Sequence, residues 1–288
     1  YIHYVNFDRR NDRWITRKEI LETNVKEDET KNQNQISGGE IVFHNNENEG
    51  MDEPGVKAHE VATKIRTIDE IIMGKFRCST WYFSPFPEEY HTKILYICEF
   101  CLNFYVKKEE LEKHITTNCP LRYPPGNEIY RDDKISMFEV DGKTEPIYCE
   151  NLSYISKLFL DHKTLQWDVD PFLFYILTEY DKYGYHFVGY FSKEKESSQG
   201  WNLSCILTMP FHQRKGYGKF LIDFSYLLSK KEQKFGSPER PLSDLGFSTY
   251  FRYWTQKICE TLKTWKEETI TINDIAEKTR IKHMDIHN

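Results

Sequence analysis

The sequence predicts a mixed α/β fold, of the α+β kind, built around one sizeable core. Hydrophobic residues make up 39% of the 288 and aromatic residues 15%, enough apolar mass for such an interior. From about residue 56 onward, stretches with the two-residue period of strands alternate with stretches of helical period. No self-similarity marks a solenoid or propeller array.

The elements follow in chain order. YIHYVNFDRRNDRWIT (residues 1–16) is aromatic and β-branched on either side of a polar turn, the signature of a β-hairpin. Residues 1–25 are too few to fold alone, so this piece is expected to be the end of a domain whose start is missing. Residues 26–55 hold eight acidic and two basic residues among glycines and a proline, too little apolar area to offset chain entropy. They are expected to form a disordered acidic linker. Asn151–Asp161 places Leu152, Ile155 and Phe159 on one helical face. Phe172–Leu177, Tyr185–Phe191 and Trp201–Thr208 predict three strands, with turns at Tyr180–Gly184 and Lys193–Gly200. Lys219–Phe235 predicts a helix burying Phe220, Leu221, Phe224, Leu227 and Leu228, and Thr249–Lys266 a second, aromatic-rich one.

Charge and cysteine usage set further bounds. The net charge of −6 equals the surplus of the acidic linker; the other residues carry 37 charges of each sign. Bulk charge therefore indicates neither nucleic-acid nor membrane binding. The longest apolar run, Phe172–Leu177, is too short to cross a bilayer, and no charged-then-apolar leader opens the sequence, so membrane-spanning and Sec-secreted classes are not expected. Seven cysteines, an odd number, fit a reducing compartment better than a disulfide framework.

Two motifs carry chemistry. Cys98-x2-Cys101-x12-His114-x4-Cys119 has zinc-finger spacing, a two-residue knuckle followed by two ligands one helical turn apart. Three thiolates and an imidazole close a tetrahedral shell, so the Zn2+ is expected to be structural. KKEELEKHI (107–115) would be the ligand-bearing helix; Glu109, Glu110 and Glu112 beside its lysines argue against sequence-specific DNA reading. The second motif is Gln213-Arg214-Lys215-Gly216-Tyr217-Gly218-Lys219, between a strand and an amphipathic helix. Glycines at a strand-to-helix turn let backbone N–H groups converge on an anion, and the helix dipole favours it. Neither the P-loop nor the G-x-G-x-x-G pattern is present.

L-T-M-P followed by Q-R-K-G-Y-G-K resembles the acetyl-CoA loop of the acetyltransferase superfamily. WYFSPFP (81–87), PPGNEIYRDD (124–133), KLFLDHKTL (157–165), DPFLFY (170–175), VGYFSKEKES (188–197) and SPERPLSDLG (237–246) resemble the MYST histone acetyltransferases. The resemblance runs from about Val56 to the C-terminus; residues 1–25 resemble the last part of the chromo-barrel of the branch that forms catalytic subunits of nucleosome-acetylating complexes. It implies an acetyl-CoA N-acyltransferase core at about 123–250, an N-terminal zinc finger at about 90–122 and a partial winged-helix segment at about 251–288. Both ends are expected to be truncated relative to the family.

The implied activity is acetyl transfer from acetyl-CoA to lysines of nucleosomal histone tails, the fourth core histone foremost, in the nucleus and within a multiprotein complex. Glu239, in S-P-E-R-P-L-S-D, matches the family's general base; as a bare residue it would be a loop carboxylate between two prolines. Cys205 matches the active-site cysteine, either an acyl acceptor or a small residue packed beside the cofactor. Ile206, Leu207 and Thr208 would contact the pantetheine arm, Gln213 to Lys219 the pyrophosphate, and Ser243 the cofactor further on. Lys163 matches the lysine that relatives acetylate on themselves. Arg252 stands where many relatives have Ser, and the resemblance gives it no role. Two other functions are compatible with the sequence: a catalytically weak chromatin-binding scaffold, and an acetyltransferase of non-histone lysines.

Overall fold

The computed structural model describes residues 66–161, 163 and 168–288. The hairpin expected at 1–16 and the linker at 26–55 lie outside the described residues. The rest fall in one unit, His59–Asn288, in which no described helix is long and apolar enough to cross a membrane.

Four short strands open it: β1 (Ile68–Met73), β2 (Phe76–Ser79), β3 (Thr92–Ile97) and β4 (Phe104–Tyr105). They form a sheet in the order β2-β1-β3-β4, with β1 and β3 parallel. The β1–β2 turn closes at Gly74, whose φ of +55° is cheap for glycine. α1 (Lys108–Lys113) follows, then one wide turn at His114–Asn118 rather than a continued helix.

The second sheet is antiparallel throughout: β5 (Asn127–Arg131), β6 (Ile135–Asp141), β7 (Phe172–Asp181), β8 (Gly184–Glu194) and β9 (Ile206–Thr208), in that order. Helices α2 (Pro146–Lys157), α3 (Tyr217–Lys231), α4 (Asp244–Thr264), α5 (Ile272–Thr279) and α6 (His283–His287) complete the fold. On β7, Phe174 and Ile176 join Leu152 and Ile155 of α2 and Ile71 and Leu95 of the first sheet in one buried cluster. Their neighbours Tyr175 and Leu177 join Leu221, Ile222 and Phe224 of α3 and Tyr250 and Trp254 of α4 in another. Both faces are covered, so β7 reads as a continuous apolar run instead of an alternation.

A bulge breaks the β7–β8 ladder. Leu177 faces Gly189 while Thr178 faces Phe187, leaving Val188 unpaired. The extra residue shifts the two-residue parity, so Phe187 and Tyr190 lie on one face, Val188 and Phe191 on the other. A Cβ on Gly189 would lie 2.4 Å from the Leu207 carbonyl oxygen, which is how closely β9 approaches at this point.

The structure corrects three sequence expectations. The strand expected over Trp201–Thr208 is regular only from Ile206; before it, the chain is shared between two neighbours, Ser204 N–H donating to Ser192 O and Asn202 N–H to Ser237 O. Leu227 is 56% exposed. α3 instead buries Ser225 and Ser229, because both hydroxyls accept from the buried Asn202 amide. Finally, α2, α3 and α4 each begin before the expected start, at Pro146, Tyr217 and Asp244.

Candidate functional site

The first site is the metal centre. Cys98 and Cys101 occupy the β3–β4 turn, where Cys98 N–H donates to Asn103 O and Leu102 N–H returns to Cys98 O, both at 2.9 Å. Leu102 adopts a positive φ of 62° to close this knuckle. Cys119 N–H donates to His114 O across the wide turn, so both ligand pairs are fixed by backbone. The four ligand atoms lie within 4.8 Å of one another. Cys98 and Cys119 sulfurs are 3.8 Å apart, matching the edge of a tetrahedron with Zn–S bonds of about 2.3 Å. Cys98, Cys101 and His114 are buried among Phe100 and Leu111. Donor set, spacing and enclosure fit a structural zinc ion.

The second site lies along β9. As the outermost strand of its sheet, β9 directs half its backbone N–H and C=O groups away from β8. The adjoining loop turns through Arg214 (φ +61°) and Gly216 (φ +91°) into α3. Gly216 offers no side-chain cap, so the first N–H groups of this 15-residue helix are left without a side-chain partner. Arg214, Lys215 and Lys219 are exposed around them. A Cβ on Gly218 would lie 3.7 Å from Thr208 Oγ1, and that hydroxyl is buried with no hydrogen-bond partner among the described residues. Gln213 Nε2 donates to Thr208 O at 3.1 Å, tying loop to strand. Uncapped N–H groups, exposed cations and an orphaned hydroxyl suit an anionic, extended ligand.

Behind the loop, burial pushes the His212 imidazole down to about 4, so it is neutral near pH 7. Phe211 stacks on Phe76 of β2, ring centroids 4.5 Å apart at 7°. The first sheet thus supports the loop from below.

Where β9 begins, three sequence-predicted residues converge. Lys163 Nζ donates to Cys205 Sγ at 3.6 Å. Cys205 N–H donates to Ser192 Oγ at 3.2 Å, holding this residue beside the bulged strand. Segment 236–239 runs parallel to 202–204, bridged at Leu203–Pro238, with Glu239 N–H donating to Leu203 O at 2.8 Å. Glu239 is exposed at the surface, yet neighbouring protein partly desolvates its carboxyl and raises its pKa; Glu194 adds to this, while Ser204 and Lys163 oppose it. Burial works against the Lys163 charge, yet Cys205, Tyr190 and Glu239 hold its pKa above the usual lysine value.

The structure therefore gathers Lys163, Cys205 and Glu239 at one end of β9, and sets Ile206 to Thr208 against Gln213 to Lys219 along it. The Ser243 side chain accepts from Gly246 N–H at 3.2 Å and caps α4. Arg252 is exposed on α4. Sequence reasoning missed Ser192, Glu194, Ser204, Phe76 and Gly189. Of these only Gly189, a glycine inside a strand pattern, left a local signal.

Residues 123–288 match the MOZ/SAS family, residues 65–119 the MYST family zinc finger domain, and residues 1–22 the RNA binding activity-knot of a chromodomain. The chain is 49% identical over 298 residues to a putative MYST-like histone acetyltransferase 1 of Oryza sativa, covering 99% of this chain and 66% of the relative. It is 50% identical over 300 residues to histone acetyltransferase of the MYST family 2 of Arabidopsis thaliana, with the same two coverages, 99% and 66%. To histone acetyltransferase ESA1 of Saccharomyces cerevisiae it is 43% identical over 335 residues, covering 75% of that protein. The chain thus spans just under two thirds of the length of the plant relatives.

Proposed function

From the premise that this chain belongs to the MOZ/SAS family, we propose that it transfers an acetyl group from acetyl-CoA to lysine side chains of nucleosomal histone tails, the fourth core histone foremost. The observation that carries this is the convergence of Glu239, Cys205 and Lys163 at the end of β9, beside a helix N-terminus open to an anion.

Acetyl-CoA supplies an activated acyl group as a thioester. The N–H groups of α3's first turn, with Arg214, Lys215 and Lys219, hold its pyrophosphate. Edge groups of Ile206, Leu207 and Thr208 line the pantetheine arm, and an N–H there polarises the acyl carbonyl. The substrate lysine, with a reference pKa of about 10.4, must lose a proton before it attacks. Glu239 takes that proton, and its raised pKa makes it a stronger base than an ordinary glutamate. The new N–C bond forms as the C–S bond breaks, and the second proton of the attacking amine passes to the departing CoA thiolate, which leaves as the thiol. We adopt direct attack in a ternary complex; Cys205 then packs beside the thioester. Self-acetylation of Lys163 would remove the ammonium that now meets Cys205. The zinc centre is structural. Histones, companion subunits and the nucleus are the partners and location that fit this activity.

The test is transfer from labelled acetyl-CoA to purified core histones. Wild type should label histone and Glu239→Gln should not, at equal acetyl-CoA affinity. Cys205→Ala should keep most of the activity; its complete loss would put the acetyl group on the thiol. No transfer by a folded, zinc-loaded, CoA-binding wild type would favour a scaffold.

A further inference from the structure

We infer that the ion pair between Arg240 and Asp285 is a positioning device, through which the C-terminal helices α5 and α6 fix the carboxylate of Glu239 for proton transfer. This rests on the reading of Glu239 as the base.

Segment 236–240 is held on two sides. Toward β9, Ser237 O accepts from Asn202 N–H and Glu239 N–H donates to Leu203 O, at 3.0 and 2.8 Å. Toward the C-terminal helices, Gly236 N–H donates to Arg280 O and Gly236 O accepts from Lys282 N–H, at 2.8 and 3.1 Å. Beyond Glu239 the next anchor is a side chain: Arg240 Nη2 donates to Asp285 Oδ1 at 2.6 Å. Arg240 also lies over the Trp254 ring, 5.9 Å from its centroid, and the Trp254 indole is itself fixed by donating to Tyr226 OH. The guanidinium is thus wedged between α4 and α6, and its rigid fork passes that constraint to the backbone next to Glu239.

Stability alone does not explain the pair. The Asp285 side chain is fully buried, and its Oδ2 has no hydrogen-bond partner among the described residues. The Arg240 side chain stays 34% exposed, so solvent weakens its attraction to the carboxylate while Asp285 still bears the cost of desolvation, and such a pair adds little stability over apolar residues of similar volume. What such residues lack is direction, and direction is what a residue adjacent to a proton acceptor needs. Lys282 on the neighbouring turn, Tyr226 of α3 and Tyr250 of α4 also sense the Asp285 charge. Glu239 is faced by Glu194 from β8, Ser204, and Lys163.

The decisive variant is the double replacement Arg240→Leu with Asp285→Leu in the whole chain, loaded with zinc. Melting temperature and calorimetric affinity for CoA should match wild type. The kcat should fall about tenfold to a hundredfold, as for a group displaced by an ångström. The acid limb of kcat/KM should move to lower pH, because a loosened Glu239 regains water. Unchanged kcat and pH profile in the folded double variant would overturn the inference. Asp285→Asn, which keeps side-chain volume, gives a second reading by the same measurements should the double variant fail to fold. Glu239→Gln is run alongside: if it stays active, the assignment of the base has failed, whereas an inactive Glu239→Gln with an indifferent pair sinks only the positioning role.

Discussion

Glu239 shows how a surface loop carboxylate becomes a candidate base through neighbours remote in sequence. Its carboxyl lies against Ser204 and near Glu194 and Lys163, and the balance raises its pKa. A base acts only when deprotonated, so activity should rise with pH through this raised value, above the ordinary glutamate range of about 4.3. The neighbours give the sign of each substitution. Glu194→Gln removes a like charge, so the acid limb of kcat/KM should move to lower pH. Lys163→Met removes the cation that favours the carboxylate, and the limb should move to higher pH. A pH profile that does not move in either variant would mean that another group titrates. None of these contacts is visible in S-P-E-R-P, since the residues that set the pKa are Glu194 of β8, Ser204 just before β9, and Lys163. Resemblance supplied the residue; its environment required the fold.

Among elements, the bulge on β8 is the feature that local pattern conceals most. A strand is read by its two-residue period, and Val188 breaks that period within a run apolar on both faces, so hydrophobic pattern carries no warning and only the neighbouring Gly189 marks the place. The same limit explains α3, where two serines take the buried positions because Asn202 requires their hydroxyls. The apolar segments α2, β7 and β8, by contrast, are legible from their hydrophobic pattern because most of their residues are buried. The first sheet was missed, its strands being only two to six residues long. Gly189→Ala tests the bulge. Its Cβ would meet the Leu207 carbonyl at 2.4 Å, so β9 must retreat. Overpacking of this kind costs about 1–3 kcal/mol, read as a lower thermal midpoint. CoA affinity by calorimetry should fall as well, because β9 is the edge assigned to the pantetheine arm. A destabilised variant with unchanged affinity would place the cofactor elsewhere.

Across the described unit, the zinc centre and the 213–219 loop meet through one sheet. Ile71, Leu95 and Ile97 of that sheet share a buried cluster with Phe174 and Ile176 of the second sheet. Glu99, between two zinc ligands, pairs with His186 of β8 at 2.9 Å. Phe76 stacks on Phe211 and meets the edge of His212, directly before the 213–219 loop. Zinc removal should therefore not unravel a detached finger. Chelation under reducing conditions should lower the thermal midpoint of the whole 66–288 unit and weaken CoA binding in the folded fraction. Phe76→Ala separates the two links, because it leaves all four zinc ligands in place. An aromatic pair is worth about 0.5–1.5 kcal/mol beyond its area, equivalent to a rise in the Kd for CoA of about twofold to tenfold. Zinc content by atomic absorption should stay at one ion per chain. If CoA affinity survives both chelation and Phe76→Ala, the first sheet serves the core only as a lid on its apolar face, and the loop is held by Gln213 and α3 alone.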